Sequence, residues 1–137
     1  MNMPLAQKIK EANTTLIVKG NMDQIGDFFA QDYAVHLTGR DTKGGHRIVQ
    51  EVVSSLRKSF PDIQVDVEIL LEGEERIVWQ RTLRATHNGA FKSFPASGLQ
   101  IVWRDMVTSQ FRDGLIAEEW VVTDLAEQLL LSRKRKS

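Results

Sequence analysis

The sequence predicts an α+β fold in which three N-terminal helices pack on a strongly curved antiparallel sheet that encloses a pocket. Apolar residues recur at helical spacing up to residue 59 and alternate with polar residues from residue 65 onward. Turn dipeptides at Asn88-Gly89 and Asp113-Gly114 divide the alternating part into hairpins. Because long antiparallel sheets twist strongly, helices covering the concave side leave a conical pocket between the two layers.

The first helix is predicted over residues 4–19, with Gly20 as its C-terminal stop. Asn21 is placed to cap a second helix. The apolar residues of that helix lie at helical spacing, and one or two of its aromatic side chains are candidates to line the pocket: Met22, Ile25, Phe28 and Phe29.

A short strand over residues 32–37 and a polar loop over residues 38–45 lead to the third helix, residues 46–59. This helix ends at Phe60-Pro61, since the residue before a proline resists the α conformation.

Four long strands are predicted next, over residues 65–71, 76–87, 100–112 and 115–123. Residues 91–99 form a loop, and Leu125 to Leu131 form a last short turn of helix or an extension of the sheet edge.

The last hairpin supplies the candidate site. With Asp113-Gly114 as the turn, Val107 pairs with Trp120 and Asp105 with Val122. One face of the hairpin then carries Trp103, Asp105, Val107, Trp120, Val122 and Asp124. This face is either a small-molecule pocket or an ordinary sheet face whose aspartates reach water, and a single β-bulge would break the register.

The preceding hairpin predicts a surface for a second copy of the chain. With Gly73-Glu74 as the turn, Val67 faces Gln80, and Gln80 lies on the pocket side. The outer face then carries Trp79, Arg81 and Leu83. An exposed tryptophan beside apolar residues is a candidate subunit contact, so we expect a homodimer.

Length and composition limit the number of domains, the binding partners and the location that can be expected. The 137 residues predict one domain over 1–137, with residues 1–4 and 132–137 flexible. Zero net charge gives no field to collect nucleic acid or anionic lipid, and no apolar run is long enough for a signal peptide or a membrane span. We therefore expect a cytoplasmic protein. Without cysteine or paired histidines, no metal site is expected.

Four stretches carry a resemblance to a known family: Phe29 to His36, Leu56 to Asp62, Thr86 to Phe91, and Phe111 to Trp120 followed by Asp124. Taken together, over about residues 5–130, the chain resembles the SnoaL-like polyketide cyclases of the NTF2-like superfamily. The resemblance implies the cone-shaped fold, a homodimer, and a pocket for a small hydrophobic, polyketide-like carbonyl compound without metal or cofactor.

The resemblance also implies roles for two residues. Asp124, four residues after Trp120, corresponds to the general acid/base of an intramolecular aldol closure, and His36 corresponds to the pocket histidine. Departures at Gln80, at Ala96-Ser97 and at residues 128–131 leave the substrate open. The ketosteroid isomerases match less well, because Asn13 and Leu37 stand where their catalytic residues fall.

An aldol closure needs a proton removed beside a carbonyl and another delivered to the new alkoxide, and one carboxylic acid can do both. Burial between indoles, and the nearby Asp105, are expected to raise the pKa of Asp124. The catalytic candidates are Asp124, Asp105 and His36. The ligand-binding candidates are Trp120, Trp103, Val122, Gln80, Phe28, Tyr33, Phe60 and His87.

Two of the histidines also have plainer interpretations. His36 is equally well explained as a histidine at a strand edge, and His87 is read first as a turn residue that bonds backbone. Three functions stay open: an acid/base enzyme, a binding protein for apolar ligands, and an interaction module whose own side chains fill the pocket.

Overall fold

The computed structural model describes residues 3–136, and the flexibility predicted for residues 1, 2 and 137 lies outside the described residues. The helices are α1 (Leu5–Ala12), which continues as a π-helix (Asn13–Val18), a 3₁₀ helix (Met22–Asp27), α2 (His46–Ser59) and α3 (Leu125–Lys136). The strands are β1 (Phe29–Leu37), β2 (Arg40–Lys43), β3 (Gln64–Glu72), β4 (Arg76–Thr86), β5 (Gln100–Arg112) and β6 (Leu115–Thr123).

The strands form one six-stranded sheet in the order β2-β1-β6-β5-β4-β3. Every neighbouring pair is antiparallel except β1 and β6, which run parallel. The helices cover one face, and the core lies between them and the sheet. Its largest fully buried side chains include Phe60, Phe111, Ile9, Leu16 and Leu83. The predicted α+β architecture, with helices on a curved antiparallel sheet, is therefore confirmed.

The first helical segment ends where the sequence predicts. Gly20 adopts a left-handed φ of 69°, which glycine tolerates without strain. Arg57 of α2 donates hydrogen bonds to the carbonyls of Ile17 and Val18 at 2.8 and 2.6 Å. The open carbonyls at the end of the π-helix are thereby satisfied, and the first helical segment is tied to α2.

Three elements differ from prediction. The polar loop contains β2, because Gly39 turns the chain at a φ of 80° and lets Arg40 pair with Leu37. The second helix is a 3₁₀ helix over Met22–Asp27. The C-terminal segment forms the twelve-residue α3, since Leu125 and Leu129, one turn apart, bury against the core.

A β-bulge in β6 makes the predicted register of the last hairpin wrong. Arg112 pairs with Leu115 as expected, and Asp113 and Gly114 both have positive φ, as a type I′ turn requires. Ala117 is then an extra residue, because Phe111 pairs with Ile116 and Gln110 with Glu118. From there onward every side chain of β6 faces opposite to prediction.

Trp120 and Val122 consequently lie on the outer face. Trp120 pairs with Thr108 instead of Val107, and Val122 pairs with Met106 instead of Asp105. The two side chains are 37% and 61% exposed, so they do not line the interior.

A second bulge, at Leu70 in β3, inverts the next hairpin. Ile69 pairs with Trp79, and Leu71 pairs with Val78. Trp79 and Leu83 therefore point into the core, where both are buried. The predicted subunit contact through Trp79, Arg81 and Leu83 is wrong, and Gln80 lies on the outer face, where it donates to Glu68 at 2.5 Å.

Candidate functional site

Polar side chains meet inside the cone, on the concave face of the sheet. They come from the π-helix, β1, β4, β5 and β6. We call them the interior cluster: Asn13, Tyr33, Trp79, Arg81, Asp105, Ser109 and Glu119.

Glu119 is the buried acid of this cluster. Tyr33 donates its hydroxyl proton to Oε1 at 2.7 Å, and Ser109 donates to Oε2 at 2.5 Å. The indole N–H of Trp79 in turn donates to Ser109 Oγ at 2.9 Å. Glu119 is therefore held by hydrogen bonds on both oxygens.

Burial sets the protonation of this acid. Desolvation raises the pKa of Glu119 above its ordinary value, although Ser109, Tyr33 and the Arg81 charge oppose the shift. Burial, and then the nearby Glu119 charge, also raise the pKa of Tyr33 well above the usual range. Glu119 therefore keeps its proton to a higher pH than a solvated glutamate, and Tyr33 remains a neutral donor.

A buried ion pair lies beside Glu119. Arg81 Nε donates to Asp105 Oδ2 at 2.8 Å. The side chain of Arg81 is 17% exposed and that of Asp105 is 8% exposed. A second guanidinium nitrogen donates to Asn13 Oδ1 at 2.8 Å, and the Asn13 amide donates to the Ile9 carbonyl at 2.9 Å. Asp105 Oδ1 is buried and has no hydrogen-bond partner among the described residues. The cluster thus contains one carboxylate oxygen that is free to accept a hydrogen bond.

Local backbone geometry places these residues. Asn13 is the first residue of the π-helix, a wider turn that is frequent at functional sites. Gly45 has a φ of 63° and donates its N–H to the Tyr33 carbonyl at 3.0 Å. A Cβ at Gly45 would lie 2.0 Å from the Gln31 carbonyl oxygen, so only glycine lets the chain entering α2 lie against β1 next to Tyr33.

His36 lies on the opposite face of the sheet. Its Nδ1 is 2.7 Å from Asp41 Oδ1, and its Nε2 is 2.5 Å from Glu118 Oε2. Its ring stacks on Trp120 with centroids 4.9 Å apart. Hydrogen bonds to Glu118, and then to Asp41, raise the pKa of His36. The expectation that His36 lines the interior pocket is wrong, because side chains at alternate positions of β1 face opposite sides of the sheet.

Asp124 lies at the junction of β6 and α3. Its Oδ1 accepts a hydrogen bond from the Arg104 N–H at 2.7 Å, and its Oδ2 accepts one from the Gln128 amide at 3.2 Å. Trp103 points into the core while Trp120 points outward, so Asp124 does not lie between two indoles as predicted. Asp124, Asp105 and His36 are not brought together.

The predicted ligand-binding residues divide between the two faces. Five are buried on the core side: Phe28, Tyr33, Phe60, His87 and Trp103. Trp120, Val122 and Gln80 lie on the outer face. Asp105 and Tyr33 are the predicted site residues that belong to the interior cluster.

Sequence reasoning missed five members of the interior cluster as site residues: Glu119, Ser109, Arg81, Trp79 and Asn13. The adjacent pair Glu118-Glu119 carried a signal, because consecutive strand residues face opposite sides and one of the two must point inward. The bulge at Ala117 decides which one does.

The structure buries an acid and an ion pair beside its hydrophobic core. Within residues 3–136, no helix is long and apolar enough to cross a membrane. The same residues present no group of three His, Asp or Glu side chains that could hold a metal ion. These features describe a small α+β domain with a buried acidic site.

Comparison with known proteins identifies the family. The family model of the SnoaL-like polyketide cyclases matches residues 7–130. The chain therefore belongs to the SnoaL-like polyketide cyclase family, as the sequence resemblance predicted, and has its NTF2-like fold. No curated protein matches the chain.

Solved structures share the fold at low identity. A proposed polyketide cyclase of Acidithiobacillus ferrooxidans superimposes with a TM-score of 0.84 at 21% identity, covering 97% of this chain and 96% of that one. AclR of Streptomyces galilaeus, described as a proposed hydroxylase, has a TM-score of 0.78 at 21% identity, with 96% and 98% covered. A SnoaL-like polyketide cyclase of Agrobacterium tumefaciens has a TM-score of 0.75 at 21% identity, with 93% and 98% covered. At these identities the likeness shows the fold alone.

Proposed function

We propose that the chain is a cofactor-free enzyme that performs acid/base catalysis on a small hydrophobic, polyketide-like carbonyl compound in the interior of the cone. The observation that carries this proposal is Glu119, a buried acid with a raised pKa that lies close to the Arg81–Asp105 ion pair. A cytoplasmic location fits a substrate of this kind.

Two carboxyl groups in different environments can divide the work of an enolisation. Asp105, ion-paired with Arg81, offers its unpartnered Oδ1 to take the proton from the carbon beside the carbonyl. Glu119 gives its proton to the carbonyl oxygen, and the C–H electron pair becomes the enol double bond. In an aldol closure, the enolic carbon attacks a second carbonyl carbon. The new alkoxide takes the proton that Asp105 holds, and the enol O–H proton returns to Glu119 as the first carbonyl re-forms.

The neighbours of the two acids support these roles. Tyr33 and Ser109 fix both oxygens of Glu119, which orients the acid. The Arg81 guanidinium supplies positive charge beside the place where an enolate oxygen would form. Apolar walls at Trp103 and Phe60, whose rings lie 4.9 Å apart, favour a hydrophobic substrate.

This proposal gives Glu119 the role that the resemblance implied for Asp124. The Asp124 carboxylate is engaged by the Arg104 backbone and by Gln128, at the start of α3. These contacts fit the anchoring of α3 to β5.

Deuterium exchange beside a carbonyl tests the proposal without knowledge of the natural substrate. The probes are β-tetralone and related cyclic ketones in heavy water, and the readout is loss of the α-proton signal by NMR. We expect the wild-type protein to accelerate exchange and both Glu119→Gln and Asp105→Asn to lose roughly 10² to 10⁴ of that acceleration. Glu118→Gln is the matched control on the outer face and should keep it.

Asp124→Asn decides between the two acids. Loss of exchange in Asp124→Asn, with full exchange in a folded Glu119→Gln, would contradict the role proposed for Glu119. If the wild-type protein and all three variants bind the ketones and none of them accelerates exchange, the alternative, a binding protein for apolar ligands, would be favoured. Both Glu119 oxygens are already hydrogen-bonded within the protein, which is the observation that favours this alternative.

We also propose a homodimer, which the family resemblance implied, through a different set of residues from those first predicted. The outer face exposes neighbouring apolar side chains on β5 and β6: Val102, Met106, Trp120 and Val122. Met106 and Val122 are directly paired, so the patch is continuous across the two strands. A second copy covering this patch would bury it around a two-fold axis.

Sedimentation velocity tests the dimer. The wild-type protein should sediment as a dimer, and Val122→Glu should sediment as a monomer with an unchanged circular dichroism spectrum. Leu71→Glu is the matched control, because Leu71 is also an exposed apolar strand residue but lies outside the patch, on β3. A monomeric wild-type protein, or equal masses for the wild-type protein and Val122→Glu, would contradict the proposed interface.

A further inference from the structure

A cavity lies between α3 and the loop that joins β4 to β5. Its volume is about 360 Å³, and its lining combines apolar and polar side chains: His87, Phe94, Pro95, Ala96, Ser97, Leu129, Ser132 and Arg133. None of these residues belongs to the interior cluster, so the cavity is a separate site.

His87 is a buried polar side chain in the lining of this cavity. The residue is 2% exposed, and its ring contacts the Gly89 backbone but makes no other hydrogen bond within the described residues. Its ring stacks on Phe60 with centroids 5.2 Å apart, and its backbone is fixed by a hydrogen bond to the Leu99 carbonyl at 2.9 Å. A buried imidazole that is held in place and has one nitrogen without a partner leaves hydrogen-bonding capacity for a ligand.

Arg133 gives the cavity lining a positive charge. Its guanidinium lies over the Phe94 ring, 4.9 Å from the centroid, and it has no ion-pair partner among the described residues. A planar guanidinium is well suited to bind a carboxylate through two hydrogen bonds. Phe94, Pro95 and Leu129 add an apolar surface to the same lining.

We propose that this cavity binds a small hydroxylated aromatic carboxylate. The carboxylate pairs with Arg133, the ring packs between Phe94 and Leu129, and the hydroxyl group forms a hydrogen bond with the His87 imidazole. The volume suits a ligand with one or two rings. The inference does not depend on the chemistry proposed for Glu119.

Isothermal titration calorimetry and NMR of the full chain test the site. The probes are meta- and para-hydroxybenzoate, compared with benzoate and with the matching hydroxybenzyl alcohols. We expect at least one hydroxybenzoate to bind in a saturable way and to shift the His87 side-chain signals. It should bind roughly fivefold more tightly than benzoate, which lacks the hydroxyl, and than its alcohol, which lacks the charge.

Three variants separate the contributions. Ala96→Trp fills the cavity from an exposed loop position and should abolish binding. Arg133→Gln should weaken hydroxybenzoate binding roughly fivefold and remove the preference for a carboxylate. Arg135→Gln is the matched control, because the Arg135 side chain points to the Gln100 carbonyl, and it should bind like the wild-type protein.

Several results would overturn the proposal. One is the absence of His87 shifts at saturating hydroxybenzoate, and another is equal binding to wild type and Ala96→Trp. Equal affinities for the acids and the alcohols would also overturn it, since Arg133 would then select nothing. Shifts confined to Tyr33 and Trp79 would place the ligand in the interior cluster, which would refute this site and leave the proposal for Glu119 standing.

Discussion

Glu118 and Glu119 are adjacent in sequence and experience opposite environments. Glu119 points into the cone, where burial raises its pKa and Tyr33 and Ser109 hold both oxygens. Glu118 points outward, where it hydrogen-bonds His36 and raises the pKa of that histidine instead. A glutamate side chain thus keeps its proton on the inner face of the sheet and stabilises a protonated histidine on the outer face.

The difference shows that burial, and not residue type, decides which carboxyl group of this sheet is suited to proton transfer. The face is decided by the single extra residue at Ala117. Without that bulge, Glu118 would point inward beside Trp120, which is the arrangement that strict alternation predicts.

The largest effect is expected from the buried ion pair. Arg81→Met should lower the free energy of unfolding by about 3 kcal/mol or more, because Asp105 would be left as a buried, unpaired charge. Arg84→Met is the outer-face counterpart, since Arg84 pairs with Asp66 at 2.9 Å with side chains 48% and 77% exposed. It should cost less than about 1 kcal/mol in the same urea titration.

A double variant controls for lost packing. Arg81→Met combined with Asp105→Leu should recover most of the loss, because replacing both charges by apolar groups removes the unpaired one. Equal losses for Arg81→Met and Arg84→Met would show that the interior is as well solvated as the outer face.

Removing a single hydrogen bond should have a smaller effect. Tyr33→Phe keeps the ring that packs edge-on against Phe29 but leaves Glu119 Oε1 without its donor. We expect it to cost about 1 to 2 kcal/mol of unfolding free energy, as is usual for a buried acceptor left unpaired. Asp41→Asn, which alters a bond to the exposed side of His36, should leave the denaturation midpoint unchanged, and the reverse ranking would refute the contrast between the faces.

Much of the fold followed from the sequence because its signals are local. Helical spacing placed α2 over residues 46–59, and the Asp113-Gly114 dipeptide fixed the last turn. The resemblance over about residues 5–130 likewise matched the family assignment over residues 7–130.

The site was harder to predict because it depends on two bulges. At Leu70 and at Ala117, one extra residue shifts all later side chains to the other face, which moved Arg81 and Glu119 inward and Trp120 outward. Neither position has a Gly or another residue that marks a bulge. The prediction therefore continued the alternation of inward and outward side chains through both positions. Asp105 lies on the core side, as predicted, because β5 keeps regular alternation.

The two faces differ in the pH range over which their titrating groups change the stability of the protein. The native state holds the Glu119 proton more tightly than the unfolded chain, so the stabilisation is complete at low pH. The unfolding free energy should fall as pH rises above the ordinary pKa of 4.5 and level off beyond the raised pKa. Glu119→Gln should remove this fall in urea titrations across the pH range.

His36→Asn is the control for the outer face. The pKa of His36 is also raised, so its stabilisation is complete below the ordinary value of 6.5 and is lost as pH rises through the folded value. That variant should therefore alter the pH profile only above 6.5. An unchanged profile in Glu119→Gln would mean that Glu119 is as well solvated as an ordinary glutamate.

The smallest expected effect is a change in the pKa values of the two histidines, His36 and His87. NMR titration should place the pKa of His36 above 6.5, because Glu118 and Asp41 stabilise its charge, and that of His87 below 6.5, because burial outweighs the favourable contact with the Gly89 backbone. Glu118→Gln should lower the His36 pKa and leave His87 unchanged. If the two histidines titrate together, the outer carboxylates do not hold His36, and the contrast between Glu118 and Glu119 rests on burial alone.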